Sequence, residues 1–420
     1  MTKKPGLVPY SHLLTALGLS LASAAPAFAE SASQSLSGPG ATQSVLASDS
    51  EDKNDLLGVN GQETWQDRKT RIKDTYGLDF GLDYNALGYK ASNSLTGQDN
   101  AASGAFRLFG TWSLVDPDGP NTGSLVFKFE NRHAYGAIPP TDLGGELGYA
   151  GLISSVFSDQ GWRATHLYWQ QDFADGNATV YAGWLDVTDY LDVYALASPW
   201  SGFSNLAFQT GSGTIGGLPD GALGVMVGGF LSDNFYAAAS VVDANGDATD
   251  PLGGFDTLFG EGETFKTVEF GWTSGADALF LNNAHISLWQ IDARSQAGSS
   301  EGHGIAFSYT QAVNNRWLPF VRGGWSEGGG SLYEAALSAG FGYSEDPSRS
   351  MLGVGVNWSR PNRDTFGTAL GDQTTIEIFK QVQLTEGVEI TPSIQIIKNP
   401  ALFPAEDVIT LLGLRFRAAF

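Results

Sequence analysis

The stretch Ser124–Tyr135, SLVFKFENRHAY, constrains this chain more than any other. Side chains along a strand alternate between two faces. Leu125, Phe127 and Phe129 therefore share one face, and Val126, Lys128, Glu130 and Arg132 share the other. In a water-soluble sandwich the Phe face would enter a protein core and the charges would face bulk water. In a membrane barrel the Phe face meets lipid and the charges line a lumen. The end of the chain repeats the pattern: Leu412, Leu414, Phe416, Ala418 and Phe420 fall on one face, and Gly413, Arg415, Arg417 and Ala419 on the other. An Arg on a lipid face costs up to ~2–4 kcal/mol at the bilayer midplane, so two Arg on one face mark it as the inner one. The terminal Phe420 caps the apolar outer face.

Composition agrees with the barrel reading. The chain has 45 Asp and Glu against 23 Lys and Arg, so it lacks the basic footprint that binding to nucleic acid needs. With no Cys, disulfides and Cys-ligated metal sites are excluded. The 54 Gly and 12% aromatics fit many short strands, tight turns and aromatic girdles. Residues 1–29 read as a secretory signal, with Lys3 and Lys4, an apolar run from Leu13 and an Ala27-Phe28-Ala29 cleavage site. The run is short and broken by Ser20, Ser23 and Pro26, which argues against an anchor.

Residues 30–61 are rich in Ser, Ala, Gln, Gly and Asp and read as a flexible leader. The barrel unit spans 62–420. Its first part, 62–76, suits a short helix or irregular segment stopped by Gly77. From Leu78 the period becomes two: Leu78, Phe80, Leu82 and Tyr84 alternate with Asp79, Gly81, Asp83 and Asn85. Strands are expected to follow near 106–114, 124–135, 163–174, 177–186 and 221–231, and then at intervals to 408–420. The region 137–160 reads as a longer loop and 187–220 as a long, partly ordered one. Short joints such as Ser232-Asp233 alternate with long loops such as 244–262 and 361–372. The fold class is all-β, a transmembrane antiparallel barrel of about 16 strands, an even number that lets the sheet close without edges.

Several segments resemble the OprB-type carbohydrate-selective porins of bacterial outer membranes: WQDRKTRIKDTYGLDFGL (65–82), FENRHAYG (129–136), GWLDVTDYLDVYALASPWSGFSNLAF (183–208) and EITPSIQIIKNP (389–400) with the closing Phe. The likeness runs from Trp65 to Phe420. It implies a 16-stranded pore in the outer membrane of a Gram-negative bacterium, passing sugars by diffusion through a charged constriction, with Glu130 and Arg132 at constriction positions. The sequence departs from the family pattern at Trp184, where a basic residue often follows the Gly. That leaves the charge balance of the constriction and the identity of the sugar open.

A sugar offers hydroxyls, which charged side chains hydrogen-bond, and an apolar ring face, on which aromatics stack. Fast passage needs binding weak enough to release. Lys128, Glu130 and Arg132, with Arg107 on the neighbouring strand, suit that task, and Asp79, Asp83, Arg415 and Arg417 extend the charged wall. The bland alternative is paired lumen charges that touch no solute. His166, Tyr168 and Gln170 share one strand face, and Trp169 on the other reads as a lipid-interface anchor. Trp184 alternates with Asp186 and reads as luminal, either stacking on a sugar or packing under an inward loop.

Three motifs carry no function. Gly211–Gly216 fits G-x-G-x-x-G without a following helix. Gly298–Gly302 fits G-x-S-x-G without a strand–turn–helix context. Asp243, Asn245 and Asp247 open like a calcium loop, but Ala248 and Gly254 break it, leaving only an incidental divalent cation in that acidic loop open.

No cofactor or metal is expected, and no enzymatic role. The expected partners are neutral sugars as solutes and outer-membrane lipid, with a homotrimer as one candidate assembly. A general small-solute porin is the alternative, followed by an adhesion or receptor barrel acting through its loops.

Overall fold

The computed structural model describes residues 36–51, 63–117, 119–276, 279–345 and 350–420. The secretory signal expected over 1–29 lies outside the described residues.

One antiparallel sheet closes on itself. β1 (Leu78–Ala91) pairs with β2 (Asn100–Val115), Asp83 opposite Arg107, and also with the final strand, Asp83 opposite Ala419. In order around the sheet come β3 (Gly123–Ala134), β4 (Gly161–Phe173), β5 (Ala178–Leu185), β6 (Ala222–Ser232), β7 (Phe235–Asp243), β8 (Thr264–Thr273), β9 (Asn283–Ile291), β10 (Gly302–Thr310), β11 (Trp317–Gly328), β12 (Tyr333–Tyr343) and β13 (Leu352–Pro361). The segments Gln373–Lys380 and Val382–Thr385 both pair with Val388–Lys398, so they are one strand, β14, interrupted at Gln381. Val388–Lys398 is β15 and Val408–Ala419 is β16. Every strand has two neighbours, and the sixteen-stranded barrel expected from the sequence is present.

The barrel is inside-out relative to a soluble protein. On β9 and β10, Ile286, Leu288, Ile305 and Phe307 are exposed, while Asn283, His285, Ser287, Ser308 and Thr310 are buried. β3 follows the sequence reading: Lys128, Glu130 and Arg132 are buried toward the lumen, and Leu125, Phe127 and Phe129 lie on the other face. In hydrocarbon no water can satisfy backbone groups, so closure of the sheet is what lets this outer belt meet lipid.

One end of the barrel carries short turns, such as 174–177 and 386–387, and the other the long connections, including 135–160, 186–221 and 244–263. α2 (Glu63–Tyr76) sits at the short-turn end and stops at Gly77, whose φ of 69° is in the left-handed region that favours glycine. Trp65 packs edge-on against Phe80, and Trp112 Nε1 donates to the Tyr76 carbonyl at 3.0 Å.

Three segments enter the barrel, which the sequence reading left open. In the connection 186–221, Tyr194, Phe203 and Phe208 are fully buried among the wall residues Leu318, Phe320, Tyr333 and Phe379. Its Tyr190, Leu191 and Ile215 join Met226, Phe265 and Trp289 in a second cluster. The connection 135–160 contains the short helix α3 (Pro140–Glu146) and buries Leu143, Leu147, Tyr149, Ile153 and Phe157. Within the expected leader, residues 36–51 are ordered, with α1 (Thr42–Ser50) packed against β1, β2 and β3. The physical reason is the same each time. Apolar side chains too sparse for a separate core are removed from water inside the lumen.

Candidate functional site

The wall built by β1–β4 carries a row of alternating charge. Register places Asp83 opposite Arg107, Arg107 opposite Glu130, and Glu130 opposite Arg163. Inward side chains at paired positions on neighbouring strands stand side by side, so opposite charges there attract. Arg107 Nε donates to Asp83 at 2.7 Å, and Arg132 Nε donates to Glu130 at 2.8 Å. Arg163 and Arg132 both pair with Asp220 at the end of the inward loop. A bulge between Lys128 and Phe129 shifts the register so that Lys128 lies opposite His166. Lys128 and His166 both turn to Asp189 of the loop, Lys128 at 3.8 Å.

The loop supplies the facing wall. The Arg107 guanidinium lies 4.1 Å from the Trp200 ring centre, and that of Arg132 lies 5.6 Å away. Burial alone would raise the Asp189 carboxyl, but Lys128 and His166 outweigh it and hold the group below its ordinary range. Asp186 is pushed up by burial, and the adjacent Asp189 charge adds to the shift.

Anchors hold the loop in place. Asp192, at a φ of 52°, accepts from Arg322 and from the Gly211 backbone N–H, and bonds His285 at 2.8 Å. Its own N–H donates to Glu269 at 2.7 Å. Glu377 accepts from the backbone N–H groups of Ser204 and Asn205, both at 3.0 Å. Arg415 donates to the carbonyls of Pro199 and Gly202 at 3.1 and 3.0 Å.

Among the described residues, two lumen cavities border this charged wall. The larger, about 350 Å³, is lined by Lys128, Glu130, Arg132, Asp186, Asp189, Asp220 and Trp200, with Leu152 and Leu332 toward the long-loop end. The smaller, about 130 Å³, is lined by Arg107, Arg417, Trp200 and Glu389, with Ser350 toward the short-turn end.

The structure thus brings Lys128, Glu130, Arg132, Arg107, Asp83 and Arg417 into one neighbourhood. Arg417 Nε donates to Asp83 at 2.9 Å. Three expected site residues lie elsewhere. Asp79 pairs with Lys73 of α2 at 2.8 Å, at the short-turn mouth. Arg415 supports the loop and lines neither cavity. Trp184 also lines neither: its Nε1 donates to the Ala164 carbonyl at 2.7 Å, and its ring packs against Gly254. Of its two sequence readings, the packed one describes this position. His166, Tyr168 and Gln170 are buried inward as expected.

Sequence reasoning missed Asp186, Asp189, Trp200 and Asp220 on the loop and the anchors Glu269, Arg322 and Glu377 on the wall. The anchors were within reach of the alternation argument, since each is a charge at an inward position of an otherwise apolar-outward strand.

A family profile described as carbohydrate-selective porin, OprB family, matches residues 124–420. No curated protein matches the chain. Among solved structures, OprB of Pseudomonas putida in its high-pH structure is similar with a TM-score of 0.69 at 17% identity, covering 88% of this chain and 99% of that one. Its low-pH structure gives 0.51 at 15% identity, covering 88% and 100%. At these identities the likeness shows a shared fold.

Proposed function

The chain belongs to the carbohydrate-selective porins of the OprB family and is a channel, not an enzyme; from that premise we propose that neutral sugars pass through the larger cavity between the Lys128–Glu130–Arg132 face of β3 and the inward loop. The observation that carries this reading is the mixed charge lining that cavity, with Lys128, Glu130 and Arg132 of β3 on one side and Asp186, Asp189 and Asp220 of the loop on the other. Such a lining presents both donors and acceptors to sugar hydroxyls. Trp200 adds an apolar surface beside the polar row. Asp83 and Arg417 serve the path by holding Arg107 in place. Asp79, Trp184 and Arg415 act outside it, at the mouth, under a loop and as a loop support.

The apolar outer belt supports an outer-membrane location, and the reading places the protein in a Gram-negative cell. Each barrel supplies every residue of the path, so passage does not depend on the homotrimer considered from the sequence. The test is liposome swelling with the refolded protein, comparing glucose with a neutral amino acid of similar size. Faster swelling with glucose, lost in Glu130→Gln/Arg132→Gln, supports the reading. Equal rates overturn sugar selectivity in favour of a general diffusion pore.

A further inference from the structure

The two cavities meet at a partition made partly by a segment that belongs to no strand. Pro39, Ser198 and Trp200 line both of them. Pro39 comes from residues 36–51, and Ser198 and Trp200 come from the inward loop. On the long-loop side Gly40 adds to the lining, and on the short-turn side Val45, Ser48, Asp49 and Glu51 do.

The segment is seated by specific contacts at both ends. At its start, the Gly38 N–H donates to the Asp189 carbonyl at 2.7 Å, and Ser37 Oγ bonds the Tyr181 hydroxyl at 3.2 Å. Gly38 is needed there, because a Cβ would lie 2.6 Å from Val193 Cγ1. At its end, Asp49 accepts two hydrogen bonds from the Arg417 guanidinium, at 2.8 and 2.7 Å, in the bidentate geometry that is among the stronger ion-pair forms. In between, Leu36, Ala41, Thr42 and Leu46 are buried. Within the segment the backbone is tied to the inward loop by one bond, and no strand pairs with it, so it can leave without opening the sheet.

We propose that residues 36–51 are a displaceable plug that sets the width of the solute path. Docked, the plug closes the partition between the two cavities. Released, it joins them into one passage past Arg107, Glu130 and Arg132. The Asp49–Arg417 pair is its latch. Arg417 also holds Asp83, and Asp83 holds Arg107, so latch and constriction share one continuous ion-pair chain. The inference rests on the channel reading but not on selectivity for sugar.

The experiment is ion conductance of the full refolded chain in planar bilayers at low salt, with no sugar present. Wild type is compared with Asp49→Lys, which places a cation against Arg417, and with Gly38→Leu, which drives a side chain into Val193. Both changes lie outside the sheet, and heat-modifiable gel mobility verifies the barrel. Each variant is expected to conduct about twofold or more above wild type, because a hindered pore opens steeply with its radius. Folded variants with wild-type conductance overturn the plug while leaving the channel intact. A folded barrel that conducts in none of its forms overturns both. A second readout uses the absence of native Cys. Leu46→Cys should react slowly with a bulky water-soluble maleimide, and rapidly once Asp49→Lys is added. Equal rates overturn the latch.

Discussion

Arg107 of β2 lies over the ring of Trp200, its guanidinium carbon 4.1 Å from the ring centre, while its Nε donates to Asp83 at 2.7 Å. One side chain thereby joins the barrel wall to the inward loop. Cation–π contacts of desolvated groups are worth about 2 kcal/mol, enough to hold an indole against the wall without a covalent tie. Trp200→Ala should therefore leave the barrel folded and thin the partition between the two cavities. The expected result is a larger gain in swelling rate for a disaccharide than for glucose. Gains in equal proportion would place Trp200 off the path.

Glu130 stands between Arg107 and Arg163 in the register row and accepts from Arg132, all of them buried. Glu130→Gln removes the acid that stands among Arg107, Arg132 and Arg163. Leaving a buried charge wholly without compensation costs about 3–5 kcal/mol, and the loss here should be smaller, because Arg107 keeps Asp83 and both Arg132 and Arg163 keep Asp220. Lowered thermal stability and a shift toward anion preference, read as the reversal potential in a salt gradient, should appear together. A stability loss without a change in reversal potential would mean that the row is structural only.

Asp189 gives the loop a pH dependence. Lys128 and His166 hold its carboxyl below the ordinary value of 3.8, against the opposing effect of burial. A depressed carboxylate contributes stability that is full above its unfolded value and lost as pH falls through the folded one. Asp189→Asn should accordingly lower the melting temperature at pH near 7, and the difference from wild type should shrink below about pH 4. Asp186 works in the opposite direction, since its carboxyl is raised by burial and by Asp189 and takes up a proton earlier on acidification. The comparison is therefore made between wild type and the variant at each pH. A difference that does not change with pH would remove Asp189 from the docking of the loop.

The barrel was legible in the sequence because lipid outside and charge inside impose a strict period of two. Lys128, Glu130 and Arg132, and likewise Arg415 and Arg417, face inward as alternation requires. What alternation does not contain is the content of the lumen. Tyr194, Phe203 and Phe208 obey no strand period, so their burial follows from tertiary packing that no local pattern encodes. Trp184 shows the limit from the other side: its parity is luminal, yet Gly254 and the Ala164 carbonyl take up its ring and its N–H. The helix Thr42–Ser50 was hidden by a composition that reads as leader, since only its few buried residues and Asp49 betray a partner.

Asp192 is the residue on which loop position most depends. It lies on no strand, yet Arg322, His285 and the Gly211 N–H converge on its carboxylate, and its N–H is taken by Glu269. The Arg322 guanidinium also lies 4.1 Å from the Tyr194 ring centre and donates to the Gln209 carbonyl at 3.0 Å. Asp192→Ala leaves the Arg322 charge buried with only carbonyl partners, at a cost of about 3–5 kcal/mol. The sixteen strands keep all their ladder bonds, so the barrel itself should persist, as read by heat-modifiable mobility and by far-ultraviolet circular dichroism. The loop should instead leave the wall, exposing 186–221 to protease. Swelling rates should rise for glucose and for a size-matched amino acid alike, because the facing wall of the sugar path is gone. If protease resistance and discrimination were both retained, the apolar packing of Tyr194, Phe203 and Phe208 alone would be sufficient to hold the loop, and the buried ion cluster would be dispensable to it.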